Sequence, residues 1–219
     1  NSLSRLISKF WNSVFCVMRA DLAYIQRKAK LLFASSKRPS NLPFLFLLTD
    51  SARGFSPEPA LGSAPKGAVV ILRTFGDAEL IAKIAPKARI KVGATVAPHI
   101  ARKYQLHGVH IPNRRLKYYK KSEPCPKLLT ASAHNLHELL RAKRAGITNI
   151  LISAIFASDS KSANERPIGP IRLAKLARDF PEMNLIALGG ISRKTLPHLK
   201  NTNARAVAGV SFERLKSKC

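Results

Sequence analysis

The chain has 219 residues, 46% of them hydrophobic, and a formal net charge of +26 at pH 7. That length and apolar content allow one domain with a sizeable core and exclude a disordered chain despite the charge. Cys16, Cys125 and Cys219 are far apart and odd in number, which argues against a disulfide framework or a cysteine metal site and fits a reducing, cytoplasmic compartment; no apolar run reaches the length of a membrane span.

The first element is a long helix. Leu3, Leu6, Ile7, Phe10, Trp11, Val14, Val17, Met18, Leu22, Ile25, Ala29 and Leu32 recur at helical spacing. Arg5, Lys9, Arg19, Arg27, Lys28 and Lys30 lie among them, with Asp21 the only acid. Such a basic amphipathic helix can lie on an anionic membrane, act as an organelle-targeting segment, or pack on the rest of the protein. All three stay open at this point, and with them a membrane-peripheral or organellar location and an anionic-membrane contact through residues 1–34. The stretch "SSKRPSNLP" reads as a linker. It separates residues 1–41, helix and linker, from a domain spanning 42–219.

Eight short apolar runs follow: 43–50, 68–75, 89–94, 108–112, 127–133, 149–156, 184–190 and 206–212. Each is a candidate strand buried on both faces. Helical stretches lie between most of them, at Asp77–Ala85, Pro98–Gln105, Asn135–Ala145, Ile171–Phe180 and Ser192–Lys200. Asn135 and Glu138 have the spacing of a capping pair, and Gly146 suits a helix stop. Strands alternating with helices imply right-handed crossovers and a parallel sheet. Eight units make the fold class α/β, a closed (β/α)8 TIM barrel with an extra N-terminal amphipathic helix; a doubly wound open sheet is the alternative. The segment Ser51–Gly67 is rich in Gly and Pro and makes a poor first helix. Only Glu213–Cys219 remain for a last one, so the N-terminal helix is expected to cover the barrel floor.

In such barrels chemistry sits at the C-terminal strand ends, and phosphate often binds after strands seven and eight. Gly189 and Gly190 end strand seven, and Gly209, Val210 and Ser211 end strand eight. Glycines let backbone approach a ligand closely, and unpaired N–H groups at a helix start attract anions. Gly189, Gly190, Val210 and Ser211 are therefore the expected phosphate cradle. Other strand ends supply Arg73, Ser132 and His134. The loop "ASDSKSANERPIG" carries Lys161 and has the length and composition of a lid. His107 and His110, three apart on a strand, face opposite sides. His134 and His137 share a helix face without an evident third ligand, so no zinc site is expected.

The pI near 10.8 suits polyanionic partners. Lys and Arg are nevertheless spread along the whole chain, and it carries no zinc-finger spacing, RNP-like aromatic pattern or helix-turn-helix. Nucleic acid is not expected as a partner.

The runs "GVHIPN", "SAHNLHELLRAKRAG", "AIFASDSK", "ALGGI" and "AVAGVSF" occur in the order and spacing of a known family. The chain from about Leu42 onward resembles the thiamine phosphate synthase / TenI family. Its members show GVHLGQ, S-x-H-(S/T)-L-E-E-A, a P-(I/V)-F-x-T-x-(S/T)-K loop, A-(I/L)-G-G-I and G-(V/I)-A-V-(V/I)-S. The resemblance implies a (β/α)8 barrel that binds a phosphorylated thiazole through the Gly189–Gly190 and Val210–Ser211 ends. Synthases of the family join that thiazole to a pyrimidine diphosphate and release pyrophosphate with Mg²⁺ assistance. Arg73, Ser132 and Lys161 match positions that contact pyrophosphate or pyrimidine, where cations and donors meet developing negative charge.

Several positions depart from that pattern. The family's Q-(L/Y)-R-x-K reads "ILRTF" here, with Ile71 at the Gln and Phe75 at the Lys. Its Asn-Asp pair after strand three falls on Gly93 and Ala94, and the Asp that follows GVHLGQ falls on Arg115. Mg²⁺ needs oxygen ligands, so no Mg²⁺ site of the synthase kind is expected, and no other cofactor is implied. The TenI branch isomerises a thiazole carboxylate phosphate without metal, using a His at the end of strand five as acid or base. His134 matches that residue and suits the task near neutral pH. His134 and Lys161 are thus the candidate catalytic residues. Alternatives are a non-catalytic barrel that keeps the phosphate cradle, and a basic scaffold docking on an anionic membrane or nucleic acid.

Overall fold

The runs of Leu45–Leu48, Val69–Leu72 and their six successors form strands because every second side chain meets the barrel interior and the others meet helices. The computed structural model describes residues 2–34, 41–49, 57–73, 78–85, 91–119, 126–157 and 166–210, with side chains in the first helix from Met18 onward. In chain order the elements are α1 (Ser2–Phe33), β1 (Leu45–Leu48), α2 (Pro57–Ser63), β2 (Val69–Leu72), α3 (Ala78–Ile84), β3 (Lys91–Ala94), α4 (Pro98–Lys103), β4 (Gly108–Ile111) and α5 (Asn113–Leu116). Then come β5 (Leu128–Ala133), α6 (Leu136–Arg144), β6 (Asn149–Ile152), α7 (Gly169–Asp179), β7 (Asn184–Leu188), a 3₁₀ helix (Leu196–Leu199) and β8 (Ala206–Gly209).

All eight strands are parallel and close into a barrel in chain order. Closure is made by β1 and β8, with Leu45 opposite Val207 and Phe46 opposite Ala208. The open-sheet alternative is thereby excluded. Two buried layers result. Phe46, Leu48, Val69, Ile71, Leu128, Leu151, Ile186, Ala206 and Ala208 fill the interior. Their neighbours in the strands, among them Leu47, Val70, Ala131, Ile150, Leu185 and Val207, belong to the shell packed under the helices. A strand buried on both sides has no polar face, which is why these segments read as continuous apolar runs. At the N-terminal end Asn149 donates to Leu129 O at 2.9 Å, and Asn184 donates to Asn149 Oδ1 at 2.9 Å.

The long N-terminal helix does not cover the floor. It packs against α2, the 3₁₀ helix, β8 and β1. That is the slot in the outer ring between the elements that follow β7 and β1, where a helix after β8 would lie. Met18, Leu22, Ile25, Ala29 and Phe33 are its buried face. They recur every three or four residues and join the outer shell rather than the barrel interior. The physical reason is area: β1 and β8 expose an apolar outer face that must be covered, and α1 has the matching stripe.

Two other expectations change. Residues 192–200 form a turn and then the 3₁₀ helix instead of one α-helix. Ser192 and Thr195 bond each other's backbone N–H groups, and Thr195 Oγ1 donates to Gly190 O at 2.7 Å, so side chains satisfy the backbone locally. Pro197 also lacks the N–H that an α-turn would use. Conversely, the Pro-rich segment before β2 does contain a helix, α2, which opens on Pro57 with Glu58 in its first turn.

Candidate functional site at the C-terminal end of the barrel

The parallel register brings every strand's C-terminal end to one rim. Leu188 stands opposite Ala208, so Gly189–Gly190 and Gly209–Val210 leave the sheet side by side. Both glycines of the first pair adopt left-handed backbone, φ +97 and +64. A side chain at Gly190 would put its Cβ 2.5 Å from Ala157 O and 2.7 Å from Phe156 Cβ. The segment after β6 presses on them directly: the Ile155 N–H donates to Leu188 O and the Phe156 N–H to Gly189 O, at 2.9 and 3.1 Å. The double glycine is thus required by a close backbone-to-backbone approach within the protein. Among the described residues the Gly189 and Gly190 amides donate no hydrogen bond, and both residues are half-buried at the rim.

Arg73 follows β2. Its backbone N–H donates to Thr49 Oγ1 at 3.0 Å and its Nε–H to Thr49 O at 2.7 Å. The side chain is therefore tied to the end of β1, a fixed cation at the rim. Ser132, on the last turn of the pleat of β5, is held by His110 Nε2 at 2.8 Å, and His110 Nδ1 meets Thr130 Oγ1 at 2.9 Å. His110 is 2% exposed. Burial, reinforced by the charge of Arg73, pushes its pKa down to about 3, so the ring is neutral.

His134 leaves β5 and precedes α6. Glu138 Oε2 accepts from the His134 backbone N–H at 2.7 Å and lies 2.8 Å from His134 Nδ1. Asn135 Oδ1 in turn accepts from the Glu138 N–H at 2.9 Å. The expected capping pair is present, and its glutamate also orients the histidine. A carboxylate on Nδ1 fixes the ring and leaves Nε2 as the nitrogen that can exchange a proton with a ligand, a geometry suited to a positioned proton carrier.

Arg73, Ser132, His134, Gly189, Gly190 and Val210 thus share one end of the barrel. Ser211 and Lys161, with the loop carrying Lys161, lie outside the described residues, as does Phe75. Arg115 sits on α5. Gly93 and Ala94 lie inside β3, and the residues that follow it are Thr95 and Val96. None of these four positions, nor Arg115, supplies a carboxylate, and among the described residues no cluster of three His, Cys, Asp or Glu could hold a metal. The described rim does not fit Mg²⁺. His110 and Glu138 are the site residues that the sequence pattern did not single out for chemistry. Glu138 was legible only as a cap. For His110 the signal was strand parity: the alternation that separates it from His107 also turns it into the barrel.

No described helix is long and apolar enough to cross a membrane. The sequence model of a family described as thiamine monophosphate synthase matches residues 75–212, well over half of the chain. A thiamine-phosphate synthase of Yersinia pestis is 30% identical over 120 residues, covering 54% of this chain and 56% of that protein. One of Clostridium tetani is 30% identical over 115 residues, covering 51% and 54%. The chain spans about half the length of these curated relatives. Among solved structures, a thiamine phosphate pyrophosphorylase of Pyrococcus furiosus superposes with a TM-score of 0.60 at 19% identity, covering 76% of this chain and 85% of that one. A KDPG aldolase of Legionella pneumophila superposes at 0.51 and 16% identity, covering 83% and 85%. These likenesses establish the barrel fold.

Proposed function

The chain belongs to the thiamine monophosphate synthase family, and on that premise we propose that its C-terminal rim binds a phosphorylated thiazole in thiamine biosynthesis. One observation carries the reading: the register of Leu188 with Ala208 sets the half-buried Gly189 and Gly190 amides beside the end of β8. Amides without a partner among the described residues, next to the start of a turn, suit a phosphate dianion. In this reading Val210 completes the cradle, and Arg73 and Ser132 meet the second substrate or its pyrophosphate; Ser211 and Lys161, outside the described residues, take those roles on the sequence motifs alone.

Between the family's two activities, thiazole tautomerisation fits the side chains better than coupling to a pyrimidine diphosphate. His134, backed by Glu138, is a base that can take a ring proton and return it at a second position. Coupling with Mg²⁺ lacks carboxylates at the positions the family uses. That loss equally supports a second reading, a barrel that binds the phosphate ester without turnover. A membrane contact by α1 would fall to residues 2–17, because the apolar face from Met18 to Phe33 is buried against the barrel.

Calorimetric titration with the thiazole phosphate, followed by tautomerase and synthase assays with and without Mg²⁺, tests these readings. Micromolar to millimolar binding with metal-independent tautomerase turnover is expected. Binding without turnover favours the non-catalytic barrel; no binding of the thiazole phosphate sinks both.

A further inference from the structure

We propose that His110 is a positioning residue that turns the Ser132 hydroxyl outward, as a hydrogen-bond donor to an oxyanion of the ligand at the rim. The proposal deepens the phosphate-ester reading above and rests on it for the identity of the ligand.

His110 contacts two hydroxyls that differ in their access to water. Thr130 is 1% exposed, so its proton must find an acceptor inside the protein. Two acceptors are near: His110 Nδ1 at 2.9 Å and Val109 O at 3.4 Å. The second is at the limit of a hydrogen bond. Ser132 is half-buried at the rim and can give its proton to water or to a ligand. A neutral imidazole has one proton, hence one donor and one acceptor nitrogen. Placing the proton on Nδ1 would leave the buried Thr130 hydroxyl with only the long contact. Placing it on Nε2 satisfies everything: Thr130 donates to Nδ1, and Nε2–H donates to Ser132 Oγ at 2.8 Å. The Ser132 hydroxyl proton is then directed away from the ring.

The consequence is a choice of ligand chemistry. With the opposite tautomer Ser132 would offer lone pairs and repel a phosphate or carboxylate oxygen. With this tautomer it donates, at the same rim as the Arg73 guanidinium. Burial of the ring and, among the described residues, the Arg73 cation both oppose protonation of His110, so the donor state persists across the physiological range.

Long-range ¹H–¹⁵N spectra of the ¹⁵N-labelled full chain read the tautomer directly, with the His110 signals assigned by their loss in His110→Phe. The expected result is a protonated Nε2 and a bare Nδ1, unchanged from pH 5 to 8; a protonated Nδ1 overturns the proposal. Titration with inorganic pyrophosphate gives the second measurement. Ser132→Ala and His110→Phe should each weaken binding by roughly tenfold or more, as for one hydrogen bond to a charged group, and the double variant should lose no more. His110→Gln, whose amide can donate to Ser132 Oγ, should recover most of the loss. Full affinity in His110→Phe, or additive losses in the double variant, would overturn the role. If the wild-type chain binds neither pyrophosphate nor the thiazole phosphate, the functional reading fails, while the tautomer still decides how His110 sets Ser132.

Discussion

The Arg193 guanidinium lies 2.5 Å from the Asp21 carboxylate and 4.4 Å from the centroid of the Tyr24 ring. The loop that follows Gly189–Gly190 is therefore clipped to α1, and the helix joins the rim to the outer wall. Gln26 makes a second tie lower down, where its Nε2 donates to Lys66 O at 2.9 Å.

Burial of its apolar face should hold α1 in place more firmly than these polar ties do. Leu22 and Ile25 are 1% and 0% exposed, and truncating either to Ala should cost about 2–5 kcal/mol. Arg193 is half exposed, so the ion pair is screened and Asp21→Asn should cost about 1 kcal/mol or less. Urea unfolding of the three variants measures the difference. Equal losses would mean that the ion pair, not burial, fastens the helix.

Two glycines with left-handed backbone separate strain from crowding. Gly169 has φ +75 and open space around its missing Cβ, whereas Gly190 has φ +64 and meets Ala157 O and Phe156. Gly169→Ala should cost about 1–2 kcal/mol, the strain of that conformation alone. Gly190→Ala adds overpacking of about 1–3 kcal/mol and displaces the segment after β6. Thermal unfolding should rank them in that order, and indistinguishable melting temperatures would show that the approach of residues 154–157 is not tight.

His110 sets an acid limit on stability. Its pKa is lowered in the folded protein, from 6.5 to about 3, so the unfolded chain binds the proton more readily. The stabilising contribution is complete above pH 6.5 and is lost as pH falls towards 3. Within that window stability should drop by about 1.4 kcal/mol per pH unit from this group. His110→Phe should flatten the profile between pH 6 and 4. A profile as steep as that of the wild type would place the acid-sensitive group elsewhere.

The His134–Glu138 pair predicts a split between turnover and binding. His134→Ala should lower tautomerase turnover by roughly 10²–10⁴-fold with thiazole phosphate affinity unchanged. Glu138→Gln keeps an acceptor for the His134 N–H and should preserve the melting temperature while lowering turnover. Turnover equal to that of the wild type would remove Glu138 from proton transfer and leave it as a cap.

Local physics made much of this protein legible in one dimension. Strands buried on both faces have to be apolar throughout, so all eight showed as runs such as 184–190, trimmed in the fold to Asn184–Leu188. Asn135 and Glu138 marked the start of α6 because a cap is a contact between residues three apart. Gly189 and Gly190 announced unusual backbone, since only glycine takes it without strain. The helix expected over 192–200 failed for an equally local reason, the Ser192–Thr195 bonds.

Tertiary structure decided what depends on residues far apart in the chain. Closure needs Leu45 beside Val207, and no pattern within either strand encodes that pairing. The stripe from Met18 to Phe33 declared that α1 buries a face but not which one it meets; the bare outer face of β8 and β1 settled that. The state of His110 follows from the layer that encloses it, with Thr130, Ser132 and Arg73 drawn from other strands. Periodicity reports what a segment must hide, whereas partners and proton equilibria belong to the surfaces that hide it.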